Sequence, residues 1–273
     1  MYNRNMADAF SPPTTTPDLL RDIAEYPNSF GPLGPKEERI ETHRYTLCMG
    51  QGLGWNTVQR QRFPAEEVDE VVEEVRSLLR SRGRDSTQWE IGSGAEPHDL
   101  VELLLQRGLE RDAEPFAVAM VLRTEPPVPP PGIEARRVET FDEYVAANEV
   151  QLAAFSTTDT EAAEHRDGLA ARWRESPTIM HAAWQEGVIV SAGKCAPTSF
   201  GLLLYGGATR PAARGRGAYR AVLRARWDEA VARGTPALFT QAGAMSRAIL
   251  ERLGFERVGH VHILLDELGH RET

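Results

Sequence analysis

The sequence predicts an α/β protein made of two similar halves, and three observations lead to that expectation. Segments with strand-like and helix-like apolar spacing alternate along the chain, which is the pattern of a sheet with helices packed against it. A proline-rich stretch at residues 124–132, TEPPVPPPG, separates two segments of ordinary domain length. Four elements that precede this stretch recur in the same order after it.

The C-terminal half is the clearer of the two. Strands are predicted over IEARRVE, over TIMHAAWQEGVIVSAGKCAP with a turn at Glu186-Gly187, and over SFGLLLYGGAT, PALFTQ and VGHVHILLDEL. Helices are predicted over DEYVAANEVQLAAF, RDGLAARWRESP, the segment from Ala218 to the Arg233-Gly234 cap, and AMSRAILERLGF. Strands and helices therefore alternate through this half.

The N-terminal half repeats the last four of these elements. They are the helix VDEVVEEVRSLLRSRG, the strand STQWEIG, the helix PHDLVELLLQRGL and the strand FAVAMVL. A duplicated fold explains the repetition, although any two α/β segments resemble one another at this level of detail. We expect a first domain over residues 1–125, a linker over 126–132 and a second domain over 133–273.

Composition excludes several classes of protein. The chain has 31 basic and 40 acidic residues, a net charge of -9, which argues against a nucleic-acid-binding surface and a polybasic membrane anchor. No apolar run approaches the roughly 20 residues of a membrane span, and no signal peptide is recognisable. The first 20 residues are expected to be a loosely ordered lead-in. Cys48 and Cys195 are expected to be buried thiols, no zinc-ligand spacing occurs, and the cytoplasm is the expected compartment.

The stretch TRPAARGRGAYRAVL, residues 209–223, concentrates arginine around two glycines just before a predicted helix. Glycine allows close approach of a ligand to the backbone, and the first turn of a helix presents unpaired N–H groups with a partial positive charge. Arginine side chains at this end of a helix are unfavourable by themselves, because the helix N-terminus is already positive. A bound anion would compensate both positive charges. The stretch therefore favours a pyrophosphate site. It lacks the Lys of a Walker A loop, and Arg220 stands where a dinucleotide loop has its third Gly.

The same stretch resembles the acetyl-CoA loop of the GNAT superfamily of N-acetyltransferases, with Tyr219 where that loop usually ends in Gly or Ala. MSRAILERLGFERVG resembles the later helix of that family, with its Gly-Phe step. The resemblance implies acetyl-CoA as co-substrate and no metal. It implies that backbone groups of Gly207, Ala208 and Thr209 hold the pantetheine arm. It further implies that the pyrophosphate is held by the backbone and arginines of Arg214, Gly215, Arg216, Gly217, Ala218, Tyr219 and Arg220, and that Ser246 bonds the thiol or the pantetheine.

The same resemblance makes the N-terminal half a degenerate GNAT-like copy. Its corresponding region, MGQGLGWNTVQRQRFPAEE, has spaced glycines but few arginines and opens its helix with acids. The expected architecture is therefore two tandem GNAT-like domains, each a mixed, mostly antiparallel sheet flanked by helices. The expected acetyl-CoA loop lies in the second copy.

The sequence does not assign the catalytic residues. Family members often carry, in the last helix, a Tyr that acts as the general acid and protonates the departing thiolate. The corresponding residue here is Leu250. Ser246 and Tyr205 are weak candidates, each with an equally good or better structural explanation. His181 is expected to be a core histidine, and His260 and His262 carry no functional expectation.

The leading hypothesis is an N-acetyltransferase that transfers an acetyl group from acetyl-CoA to a primary amine of a small molecule or protein. The alternative is a non-catalytic acyl-CoA-binding module, and a nucleotide-binding phosphate loop is a weaker third. Neither a nucleic acid nor a membrane is an expected partner. The chain is expected to be a monomer or a homodimer.

Overall fold

A computed structural model describes residues 16–50, 56–155, 163 and 166–269 of the chain. The strands in this part are β1 (Glu38–Glu41), β2 (Thr46–Met49), β3 (Asn56–Gln59), β4 (Ser86–Gly92), β5 (Glu110–Leu122), β6 (Glu134–Arg137), β7 (Ile179–Gln185), β8 (Val188–Pro197), β9 (Leu202–Thr209), β10 (Leu238–Ala242) and β11 (Glu256–Glu267). The α-helices are α1 (Pro17–Glu25), α2 (Pro27–Phe30), α3 (Val68–Ser81), α4 (Leu100–Leu105), α5 (Phe141–Phe155), α6 (Leu169–Glu175), α7 (Ala218–Ala232) and α8 (Ala244–Arg252).

All eleven strands form one sheet, in the order β1-β2-β3-β4-β11-β5-β10-β9-β8-β7-β6. Within the described residues, β3 runs parallel to β4 and β9 runs parallel to β10, whereas the other neighbours are antiparallel. The prediction of a mixed, mostly antiparallel sheet flanked by helices is therefore confirmed.

The two halves exchange their last strands. β11 lies between β4 and β5, and β5 lies between β11 and β10. β11 pairs with β4 from Val261, opposite Gly92, to Glu267, opposite Ser86. The four repeated elements are thus present in both halves, but each half is completed by the final strand of the other. The division at residues 126–132 coincides with an irregular segment between β5 and β6, and it stays a prediction because one sheet spans both halves.

Local sequence explains the element boundaries that matter for the site. Gly83 and Gly234 end the equivalent helices α3 and α7 with φ values of 66° and 74°, the left-handed geometry that favours glycine. Glu186 and Gly187 both have positive φ in the tight turn between β7 and β8, as the sequence predicted. The helix predicted over PHDLVELLLQRGL is shorter in the structure, because only Leu100–Leu105 is α-helical.

The expectation of a loosely ordered lead-in is wrong for its last residues, because Pro17 begins α1. Thr16 caps this helix, with its Oγ1 accepting a hydrogen bond from the Leu19 N–H at 3.2 Å. The buried side chains of Leu20 and Ile23 pack against the middle of the sheet. Burial of this apolar face is the reason for the order, because a helix this short is marginal in isolation. The remaining residues of the lead-in, 1–15, lie outside the described part of the chain.

The helices cover the sheet on two faces. α7 and α8 cover one face of the C-terminal half, where Leu223, Trp227 and Leu250 are buried. α1 and α5 cover the opposite face, over Leu203 and Met180 respectively. Both cysteines are buried and free, as predicted.

Candidate functional site: a strand splay beside an open helix N-terminus

β9 and β10 separate soon after they meet. Their parallel pairing covers only Leu202 with Leu238 and Leu203 with Phe239, although β9 continues to Thr209 and β10 to Ala242. Beyond these pairs, the hydroxyl of Thr240 donates a long hydrogen bond of 3.4 Å to the carbonyl oxygen of Leu204. The two strands therefore open a wedge, along which they no longer pair with each other although each stays paired with its other neighbour.

Two glycines shape the β9 side of this wedge. Gly206 has a φ of 55°, and its carbonyl oxygen accepts a hydrogen bond of 2.5 Å from Nε2 of Gln151 in α5. A Cβ at Gly206 would lie 2.6 Å from that same Nε2, so both the backbone angle and the space require glycine. A Cβ at Gly207 would lie 2.7 Å from the Tyr219 ring, which therefore packs directly on the strand. β9 thus departs from regular geometry at the mouth of the wedge.

The loop after β9 leads into an open helix N-terminus. A 3-10 turn at Pro211–Ala213 is followed by Gly215 and Gly217, with φ values of 75° and 90°, and α7 begins at Ala218. The six successive backbone N–H groups of residues 215–220 have no hydrogen-bond partner within the described part of the chain. With the dipole of a 15-residue helix behind them, these donors are suited to an anion.

The arginines of the stretch divide into two groups. Arg210 and Arg214 brace the end of the sheet, donating to the carbonyl oxygens of Ile189 at 2.9 Å and of Thr209 at 3.2 Å. Arg216 is exposed, and the described residues give it no hydrogen bond or ion pair. Arg216 is therefore the guanidinium in this loop that is least committed to the protein itself.

The proline-rich segment crosses this loop. A Cβ at Gly217 would lie 2.5 Å from Cγ and Cδ of Pro130, and Nη1 of Arg220 lies 3.5 Å from the Val128 carbonyl oxygen. Arg224, one turn further along α7, pairs with Glu125 and Asp228. The segment between the two halves is thus packed along the start of α7.

On the face of the sheet opposite α7, the N-terminal half places polar groups beside the wedge. Nε2 of Gln241 in β10 donates to the Glu25 carbonyl oxygen at 2.8 Å and to Oε2 of Glu90 at 2.9 Å. Nε2 of Gln59 donates to the same Glu90 oxygen at 2.8 Å. Burial raises the pKa of Glu90, although these two hydrogen bonds oppose the shift. Glu90 thus links the first copy to a strand of the wedge.

The two weak catalytic candidates lie in β9 and in the helix that follows β10. Tyr205 precedes Gly206, is half buried, and makes no hydrogen bond with the described residues. Burial, with the nearby Glu90 and Cys48 adding to it, raises the pKa of its phenol. Ser246 lies in the first turn of α8, where its hydroxyl donates to the Gly243 carbonyl oxygen at 3.3 Å. Leu250 is buried in the core of the same helix.

The histidines do not join the wedge. His181 is buried beside Cys195, with Nδ1 3.8 Å from the thiol sulfur, and burial with the nearby Arg226 lowers its pKa to about 3. His181 is therefore a neutral core histidine, as expected. His260 and His262 pack against the ring of Phe116 on β5.

In the first copy, the equivalent wedge is closed. β3 and β4 pair at Thr57 with Gln88 and at Val58 with Trp89 before they separate. Nε2 of Gln61 then donates to the carbonyl oxygens of Val58 at 2.9 Å and Glu90 at 3.1 Å, which joins the two strands. The helix that follows, α3, has an acidic start, with Glu66, Glu67, Asp69 and Glu70. Neither feature favours a phosphate ligand.

The sequence did not predict the residues that contact the two wedges from distant positions in the chain. Gln151, Glu90 and Gln61 reach the two wedges from other elements, and no motif marks them. The irregular backbone at Gly206 could have been predicted, because a pair of glycines in an apolar strand indicates such a departure. Within the described residues, no cluster of three metal-binding side chains is found, and no helix is long and apolar enough to cross a bilayer.

No protein-family model and no curated protein matches the sequence. Solved structures do match. A GCN5-related N-acetyltransferase from Kribbella flavida is 18% identical, with a TM-score of 0.64 over 86% of this chain and 91% of that one. A tandem GNAT protein from the clavulanic acid biosynthesis pathway is 17% identical, with a TM-score of 0.58 over 88% and 86%. A GCN5-related N-acetyltransferase from Sphaerobacter thermophilus is 18% identical, with a TM-score of 0.58 over 82% and 81%.

These likenesses extend over most of both chains, and one of them is to a tandem protein. They agree with the repeated order of helix, strand, helix and strand in the two halves. The chain therefore has the fold of the GCN5-related N-acetyltransferases, in a tandem arrangement.

Proposed function

We propose that this protein is an acetyl-CoA-dependent N-acyltransferase that moves an acetyl group to a primary amine of a small molecule or protein. The observation that carries the proposal is the coincidence of the open wedge between β9 and β10 with the six unpaired N–H groups at the start of α7. The pantetheine arm carries amides that need backbone partners, and the pyrophosphate needs convergent donors. Both requirements are met within one continuous stretch of the chain.

In this proposal, the backbone of Gly207, Ala208 and Thr209 lines the pantetheine arm, and the N–H groups of residues 215–220 hold the pyrophosphate. Arg216 adds a charge-assisted contact, because its guanidinium has no partner among the described residues. The first copy binds no acetyl-CoA in this proposal, since Gln61 bridges its two wedge strands and acids open α3.

Acetyl transfer requires the attacking amine to lose a proton and the departing CoA thiolate to gain one. Tyr205 is the candidate closest to the wedge. A phenol is protonated at neutral pH, and burial raises the pKa of Tyr205 further, so this side chain is suited to donate a hydrogen bond to the thiolate rather than to act as a base. Water takes the amine proton in this scheme, and Ser246 stays a candidate for contact with the thiol.

Binding is tested by following thermal unfolding during a titration with acetyl-CoA and, separately, with CoA. A ligand at 100 times its Kd stabilises the native state by about 2.7 kcal/mol, enough to raise the Tm by several degrees. The proposal is overturned if neither compound raises the Tm of the folded protein. Catalysis is then tested by release of free thiol from acetyl-CoA across a panel of amines. Tyr205→Phe is expected to slow thiol release without changing the Tm shift.

A second function, acyl-CoA binding without catalysis, is favoured by one observation. Leu250 occupies the place where the resemblance implies a Tyr that acts as the general acid. The side chain of Leu250 is buried in the core and has no group that could donate a proton. A Tm shift with acetyl-CoA, together with no thiol release above the rate without protein for any amine, would support this second function.

A further inference from the structure

Lys194 stands beside the wedge on the face of the sheet opposite α7. In β8 it is the register partner of Tyr205 in β9 and of Met180 in β7. Register partners of antiparallel strands place their side chains on the same face. Met180 packs against α5, and Tyr205 packs in the cluster that includes residues of α1 and α2. Lys194 therefore projects between these helices, next to Tyr205.

The ammonium group of Lys194 has no acidic partner among the described residues. Lys194 is half buried, and the described residues give its side chain no hydrogen bond and no ion pair. Burial, with the charge of Arg172 nearby, lowers the pKa of Lys194 to about 8. A larger fraction of this amine is therefore neutral near pH 8 than for a solvated lysine, and the neutral amine is the nucleophilic form.

Lys194 is also within reach of the wedge. Tyr205 directly precedes Gly206, where β9 has left β10. Neighbouring strands lie about 4.8 Å apart, which a four-carbon lysine side chain can span. A thioester seated at Gly206 would therefore lie one strand away from Lys194.

We propose that Lys194 is itself an acetylation site, modified by acetyl-CoA bound in the wedge of the same protein. The inference rests on the proposed acetyl-CoA site and goes beyond it. The neutral Nζ attacks the thioester carbonyl carbon, and a C–N bond forms. The C–S bond then breaks, and the CoA thiolate leaves and takes up the proton that the nitrogen loses. The products are Nε-acetyl-lysine and CoA, and no further reactant is needed. Because an amide is stable, the product is a modification and not an intermediate.

The chain contains its own control for this reaction. Its two lysines are Lys36 and Lys194, and Lys36 is exposed. The full chain is incubated with acetyl-CoA, and both lysines are followed over time by peptide mass spectrometry. Lys194 is expected to be acetylated at least about tenfold faster than Lys36, a difference of about 1.4 kcal/mol in activation free energy. Equal rates, or faster reaction at Lys36, overturn the proposal.

A second reagent separates docking from intrinsic reactivity. Acetic anhydride carries an acetyl group but no CoA, so its preference between the two lysines reports only their exposure and intrinsic nucleophilicity. A preference for Lys194 as large with the anhydride as with acetyl-CoA overturns transfer from a bound donor. Gly215→Ala is expected to slow acetylation by acetyl-CoA at Lys194 and to leave Lys36 unchanged. Lys194→Arg removes the signal, and Lys36→Arg does not affect it.

The outcome for this inference can be told apart from that for the proposed function. If acetyl-CoA raises the Tm and Lys194 reacts no faster than Lys36, only the modification is overturned. If acetyl-CoA does not raise the Tm, the proposed acetyl-CoA site fails, and the modification fails with it.

Discussion

Gln61 of the first copy and Gly206 of the second occupy equivalent positions, each three residues beyond the last parallel pair of its wedge. The last pairs are Val58 with Trp89 and Leu203 with Phe239. Gln61 is fully buried and ties the two strands of its wedge together through its side-chain amide. Gly206 has no side chain to do so, and its strand stays apart from β10. The two wedges thus differ at this position in whether a side chain joins their strands.

Gln61→Ala is expected to destabilise the fold without affecting acetyl-CoA. The substitution leaves the buried carbonyl oxygens of Val58 and Glu90 without their side-chain donor and opens a cavity, which costs about 1–3 kcal/mol. Urea unfolding measures the loss. Gln106→Ala is the matched control, since Gln106 is exposed. An acetyl-CoA affinity that weakens with Gln61→Ala would contradict the assignment of the ligand to the second copy.

Gly215→Ala is expected to weaken acetyl-CoA binding by about tenfold or more. The residue has a φ of 75°, and an L side chain there costs about 1–2 kcal/mol or forces the loop to turn its N–H groups away. No atom of the described residues lies within 4 Å of the added Cβ, so no steric clash with them complicates the result. Gly217 is less suitable, because a Cβ there would collide with Pro130. Isothermal titration measures the affinity.

Gly83→Ala is the control for this change. Gly83 has a φ of 66° and equally open surroundings, but it ends α3 in the first copy. Both variants should lose a similar amount of stability, and only Gly215→Ala should lose affinity. Equal affinities for the two variants would place the pyrophosphate elsewhere.

Arg216→Ala is expected to weaken acetyl-CoA binding by about tenfold at low salt, or about 1.4 kcal/mol. Its exposed guanidinium has no partner in the described residues, so a phosphate contact would be its main interaction. The loss should shrink as salt is added, because exposed charges are screened. Arg224→Ala is the control, since Arg224 is held by Glu125 and Asp228. If both variants bind acetyl-CoA as tightly as the parent, Arg216 is only a solvated side chain.

His181 is expected to make the protein sensitive to acid. Its pKa is about 3 in the folded protein and near 6.5 when unfolded, so between these values the unfolded chain binds a proton that the folded chain does not. Stability is therefore complete above pH 6.5 and falls as the pH drops towards 3, by at most about 1.4 kcal/mol per unit.

Unfolding by urea at several pH values measures this slope. His181→Gln should flatten it between pH 6.5 and 4, even though the substitution itself costs some stability at pH 7. His43→Gln, at an exposed residue, should leave the slope as it is. An unchanged slope in His181→Gln would show that other groups carry the acid sensitivity.

Much of the secondary structure could be predicted because its signals are local. The Arg-Gly caps at Gly83 and Gly234, the turn at Glu186-Gly187 and the apolar spacing of α7 depend on residues close in sequence. The acetyl-CoA loop could be proposed for the same reason, since its glycines and arginines are adjacent. By contrast, α1 and β1 to β3 were not predicted, because short elements are ordered mainly by their partners.

The sequence by itself determined the alternation of elements, the repeated order and the position of the loop, because these follow from backbone propensity and spacing along the chain. Only the tertiary structure decided that β5 and β11 change places, because strand pairing is set by contacts between residues far apart in sequence. It also decided that Gln61 closes one wedge, that Gln151 holds Gly206 at the other, and that Lys194 stands beside Tyr205. Each of these arrangements depends on which strands and helices become neighbours, and packing selects those neighbours.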